Sequence, residues 1–121
     1  MDGIVVLEPY ATMIIEGQKS LELRSRRPPA SKIGKRIYLL SSGEVLGIVR
    51  ITSFSGPLSE EQIRARFFEH RVPEPKPGYY AWRLEVVKRF ARRRKYVHPR
   101  GARVWLRNVR LFAKIGFSSS R

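Results

Sequence analysis

Apolar residues in this 121-residue chain recur in short runs with the two-residue period of a β-strand, and proline or glycine cuts the runs apart. Ser20-Leu21-Glu22-Leu23-Arg24 shows the pattern most plainly, sending Leu21 and Leu23 to one face and Glu22 and Arg24 to the other. Ile4 to Leu7 is a continuous β-branched run that reads as a buried first strand. Arg36 to Leu40 and Val45 to Phe54 read as two antiparallel strands joined across Ser41-Ser42-Gly43-Glu44, a composition suited to a tight hairpin. Tyr79 to Phe90 reads as a long strand with Tyr80, Trp82, Leu84 and Val86 on one face and Arg83 and Glu85 on the other.

Only two windows favour helix. Pro9 suits a first helical turn and Gly17 a left-handed C-terminal cap, which predicts a helix over Pro9 to Glu16. Ser59 and Gln62 have capping-box spacing, with Glu60 and Glu61 where the helix dipole favours carboxylates, which predicts a second helix over Glu60 to His70. Arg26-Arg27-Pro28-Pro29 ends the strand before it, and Pro73 to Gly78 forms an extended loop. After Glu85 no acidic residue occurs. The C-terminal third still carries Val104, Trp105, Leu106, Val109, Leu111, Phe112 and Ile115, which are expected to complete the sheet. Many short strands with two brief helices predict a small α+β domain built on a closed or nearly closed β-barrel sheet, an arrangement that removes exposed strand edges. One domain over residues 1–117 is expected, with a frayed tail at 118–121.

Charge narrows the function. The net charge is +15, from 25 Lys+Arg against 10 Asp+Glu. Charge-rich surfaces built for stability usually balance the two signs, so this excess points to a polyanionic partner, most commonly a phosphate backbone. RNA, or another single-stranded nucleic acid, is the expected partner. The absence of cysteine excludes a disulfide framework, a thiolate nucleophile and any zinc site that needs cysteine ligands. His70 and His98 each stand alone beside loop-like sequence and read as exposed or capping residues. Ser41 and Ser42 have no identifiable activating base. No run approaches the about 20 apolar residues of a membrane span, and the N-terminus lacks a positive leader region. A soluble, cytoplasmic protein without metal or other cofactor is expected, with a monomer favoured.

The most specific motif is Gly17-Gln18-Lys19-Ser20-Leu21-Glu22-Leu23-Arg24. It resembles the G-x-K-x-x-E-x-R signature of the ASCH family, the activating-signal-cointegrator homology domains. Tyr10-Ala11 is similar to the family's helix before the signature, Val45-Leu46-Gly47-Ile48 to its central strand, and Tyr80-Ala81-Trp82-Arg83-Leu84 to its late aromatic strand. The resemblance implies a PUA-like β-barrel with a cleft lined by the signature's polar residues, and RNA binding. Some members are hydrolases, including ribonucleases and an amidohydrolase acting on acetylated cytidine in which the signature lysine is catalytic. Lys19 matches that lysine; Glu22 stands where that branch has threonine.

Read without the family, Glu22 and Arg24 project together at i, i+2, with Lys19 at the helix-strand junction, so the three can converge at one pocket mouth. Arg24 can grip a phosphate bidentately, Lys19 adds a point charge, and Glu22 either holds the cations in place or accepts from a base edge. The alternative is a solvated ion cluster. Tyr10, Tyr80 and Trp82 are candidate base-stacking residues, although an aromatic stripe at period two also fits a core. Arg26, Arg27, Arg92, Arg93, Arg94, Lys95, Arg100 and Arg103 are candidates for backbone contact. Two other functions stay open: a metal-independent hydrolase using Lys19 and Glu22, and an assembly module whose charge serves docking.

Overall fold

The computed structural model describes residues 1–112; Ile115 and the 118–121 tail of the reading above lie outside them. Six strands, β1 Gly3–Val5, β2 Leu21–Arg24, β3 Arg36–Ser41, β4 Glu44–Ser55, β5 Tyr80–Lys95 and β6 Trp105–Leu106, form one sheet in the order β2-β5-β4-β3-β1-β6. All neighbours are antiparallel except β1 with β3. β3 and β4 turn through Ser42 and Gly43, both at positive φ, as a two-residue type I′ hairpin requires.

The sheet is a half-barrel rather than a closed one, and its curl brings distant strands together. Trp82 on β5 stacks on Trp105 on β6 with ring centroids 6.1 Å apart, although three strands lie between β5 and β6 in the sheet order. Arg24 on β2 donates to the Val5 carbonyl on β1 at 3.1 Å, across the open seam.

Helix α1, Tyr10–Ile15, plugs the concave side. Its Ala11, Ile14 and Ile15 pack with Ile4, Val6, Ile37, Leu39, Val49, Ile51, Trp82 and Leu84 in the main core. The Glu8 carboxylate caps it by accepting from the Thr12 amide and hydroxyl at 2.8 and 2.7 Å. On the convex side Leu40, Val45, Tyr96 and Leu106 form a second cluster, covered by the segment after β5.

Three expectations change. The helix expected over Glu60 to His70 is two helices, α2 Glu60–Arg64 and α3 Phe67–His70. The capping box forms, with Gln62 N–H on Ser59 Oγ at 3.1 Å and Ser59 N–H on Gln62 Oε1 at 2.8 Å. The ladder then tightens to a three-residue bond from Arg66 N–H to the Ile63 carbonyl, which turns His70 back onto that same carbonyl. The strand expected to stop at Phe90 runs on to Lys95, because β4 supplies pairing partners as far as Glu44. Of the apolar residues expected to complete the sheet, among the described residues only Trp105 and Leu106 form a strand, with a further bridge between Tyr96 and Leu111. Among the described residues no helix is long and apolar enough to cross a membrane.

Candidate nucleic-acid interface

The signature begins where α1 ends. Gly17, at φ 84°, takes the left-handed position that a side chain would strain, and Gly17 and Gln18 donate to the Ile14 and Met13 carbonyls at 3.1 and 2.8 Å. This Schellman turn reverses the chain and aims Lys19 inward. The Lys19 side chain has no exposed surface; its Nζ donates to the carbonyls of Leu21 at 2.7 Å and His70 at 2.5 Å, and lies 3.4 Å from Glu22 Oε1 and 4.9 Å from the Tyr10 ring centre. Burial lowers its pKa and the Glu22 charge partly restores it.

Glu22, buried behind the strand surface, joins the two cations. Its Oε2 accepts from Arg24 Nε at 2.9 Å, and Arg24 also lies 5.8 Å from the Trp82 ring. The signature is therefore a linked series running from the end of α3 through Lys19, Glu22 and Arg24 to β1. The near end is closed off from water. The far end, from Glu22 and Arg24, lines a cleft of about 550 Å³ with Tyr10, Tyr79, Val104 and the loop residues Glu74 and Lys76. Arg103 also lines it, and both Lys76 and Arg103 are exposed.

Several expected site residues fall elsewhere. Lys19 is not at the pocket mouth, because its ammonium group is spent on two carbonyls and Glu22. Trp82 is core, one ring face against Trp105 and its Nε1 donating to the Arg26 carbonyl at 2.9 Å, so it offers no platform for a base. Tyr80 is half-buried against Phe54 and does not line the cleft, whereas Tyr10 does. Arg26 and Arg27 are exposed in the loop after β2.

His70 is not exposed; it is wholly buried. Its Nδ1 accepts from Val72 N–H at 2.9 Å, which leaves Nε2 to donate to the Ile63 carbonyl at 2.8 Å. Both contacts fit only the neutral ring. Burial, and next the charge of Lys19, lower its pKa against the raising effect of the Ile63 bond.

The basic run of β5 is divided by strand alternation. Arg89 and Arg93 turn toward α1, where Arg89 meets Glu16 at 2.7 Å and Arg93 meets Glu8 at 3.4 Å and donates to Thr12 Oγ1 at 2.8 Å. Arg94, on the other side, donates to the Phe112 carbonyl at 3.2 Å. Arg92 and Lys95 are exposed with no ion-pair partner among the described residues. The same residues contain no group of three or more His, Asp or Glu able to hold a metal.

The ASCH domain family model matches residues 4–94, from β1 through the signature and the hairpin into β5. The chain belongs to the ASCH domain family. Membership sets it among domains of nucleic-acid-binding or hydrolase-like character. The solved structure of ZmASCH from Zymomonas mobilis, a serine-to-alanine mutant, is similar at 23% identity with a TM-score of 0.46. The alignment covers 69% of this chain and 66% of that protein, so the chain spans just under two thirds of its length. No curated protein matches. Arg103 and Val104 lie past the end of the ASCH match, so part of the cleft's lining comes from beyond the family's matched segment.

The reading of the sequence did not include Tyr79, Glu74, Lys76 or Val104 in the site. The run Pro73 to Gly78 identified a loop, but nothing in its composition tells which cleft it borders.

Proposed function

We propose that this ASCH domain binds RNA, using the cleft beside Arg24 together with the cationic surface around it. Arg24 is the observation that carries the reading. Its guanidinium is held by Glu22 and the Val5 carbonyl, yet Nη1 has no partner among the described residues, in a cleft whose rim adds Lys76 and Arg103. A guanidinium already fixed in place loses little freedom on gripping a phosphate. Glu22 acts as the positioning residue, and the half-buried Tyr10 offers a ring against which a base can pack. Arg26, Arg27, Arg92 and Lys95 add sequence-independent backbone contacts. A cytoplasmic location belongs to the same proposal.

Fluorescence anisotropy with short single-stranded and duplex RNA across a salt series tests it. Affinity is expected to fall steeply with salt, and Lys76→Ala or Arg103→Ala each to lower the log–log slope by about 0.7 for single strands. A flat salt dependence, or no binding at low salt, overturns the proposal.

A hydrolase reading draws on one observation, the burial-lowered pKa of Lys19 beside Glu22, since a lysine base or nucleophile needs a depressed pKa. It is the weaker reading because the amine has no exposed surface. Turnover of labelled RNA or acetylated cytidine, abolished in a Lys19→Ala variant that keeps its circular dichroism spectrum, would establish it.

A further inference from the structure

The face of the sheet turned away from α1 carries a basic row outside the cleft, beside two half-buried rings, Tyr38 and Phe90, that rest on the edge of the convex-side cluster. Arg36 on β3 lies directly opposite Arg50 on β4, and Arg50 lies opposite Glu85 on β5. In the next row Tyr38, Ile48 and Lys88 are cross-strand partners. Phe90, two residues on, meets the Tyr38 ring edge-on at 6.4 Å, and Lys88 Nζ stands 5.9 Å from its centre. These side chains point opposite to Ile37, Leu39, Val49 and Arg89, which face the α1 core or its flank.

Charge on this face is out of balance. Glu85 pairs with Arg50 at 2.6 Å, whereas Arg36, Lys88 and Arg92 have no carboxylate partner among the described residues. Like charges directly opposite on a sheet destabilise it, so the Arg36–Arg50 pairing does nothing for folding. A basic surface that also exposes half-buried aromatic rings is the combination that holds a single strand, with rings for bases and cations for phosphates. Along β5, Lys88, Phe90 and Arg92 follow at alternate residues, about 7 Å apart, a repeat an extended strand can track.

We propose that this outer face is a second binding surface, for single-stranded nucleic acid, in which Tyr38 and Phe90 stack bases while Arg36, Lys88 and Arg92 contact phosphates. It rests on the proposed function in that both sites take a polynucleotide; Arg92 belongs to both proposals, and none of the outer-face residues lines the cleft.

The test compares the intact chain, an Arg36→Ala/Lys88→Ala/Arg92→Ala triple variant and a Lys76→Ala/Arg103→Ala cleft variant, using single-stranded RNA of about 6 and about 20 nucleotides, the shorter within the span of one binding surface. The triple variant is expected to bind the long strand at least about tenfold more weakly, with a salt slope lower by about 2, while the short strand, held in the cleft, is affected less. Photo-crosslinking of thiouridine-labelled long RNA is expected to mark the peptides holding Tyr38 and Phe90. Unchanged long-strand affinity in the triple variant overturns this inference alone, and so does displacement of the RNA by polyglutamate at equal charge concentration, which would mark a surface for acidic protein. If the intact chain binds neither RNA at low salt, the proposed function fails as well.

Discussion

Between Lys19 and Arg24 every charged group meets an opposite charge or a carbonyl inside the molecule, whereas from Lys88 to Lys95 Arg89 and Arg93 are tied to α1, Arg94 reaches the Phe112 carbonyl, and Lys88, Arg92 and Lys95 have no ion-pair partner among the described residues. Both stretches are β-strand or its entry, and both are rich in Lys and Arg. The difference is depth. A buried cation without partners costs several kcal/mol, so the signature had to acquire a complete set of contacts; an exposed one costs almost nothing and can wait for a ligand. Stability is therefore concentrated at the signature, and the proposed contacts to nucleic acid lie along the rim of the cleft and the outer face.

The comparison sets an order of effects. Lys19→Met removes the donor from the Leu21 and His70 carbonyls and one partner from Glu22, and a loss of about 3–5 kcal/mol is expected in urea unfolding, typical of a broken buried pair. A loss below about 1 kcal/mol would mean that Lys19 does not differ in kind from the lysines outside. Acid gives the next effect. The folded pKa of His70 is lowered from 6.5, so the unfolded chain binds more protons; stability should be complete above about pH 6.5 and fall as the pH drops below it. Asp2 and Glu8, whose pKa values are also lowered, add to the fall only in the carboxylate range further down. A urea midpoint unchanged between pH 7.5 and 5.5 would contradict the neutral, doubly bonded ring.

Smaller effects come from β5. Arg93→Gln loses exposed contacts to Glu8 and Thr12 and should cost no more than about 1 kcal/mol. Arg92→Ala should leave the urea midpoint within the scatter of a neutral surface change, about 0.5 kcal/mol, while weakening RNA binding. Loss of stability without loss of binding would reverse the assignment of these two neighbours.

Local chemistry was readable in the residues themselves. The Gly17 cap, the Ser59 and Gln62 box, the Ser42-Gly43 hairpin and the meeting of Glu22 with Arg24 each depend on residues a few positions apart, where propensity and period decide. What escaped depends on the curl of the sheet and on contacts between distant segments. Lys19 is buried because the His70 carbonyl, 51 residues away, comes within 2.5 Å; the break between α2 and α3 and the burial of His70 follow from the same packing. Trp82 is core because the curl delivers Trp105 to its face. The division of Arg92, Arg93 and Arg94 escaped too, because the register shift between Val86 and Lys88 reverses the alternation, so the face of Trp82 and Leu84 continues in Arg89 and Arg93.

Lysine footprinting tests the account most directly. With an amine-reactive reagent and mass spectrometry on the native chain, Lys19 is expected to stay unmodified with or without single-stranded RNA, while Lys76 and Lys88 react in the free protein and are shielded when RNA is added. Rapid modification of Lys19 that RNA suppresses, with Lys76 and Lys88 indifferent to it, would contradict the division between cations held inside and cations kept for a ligand.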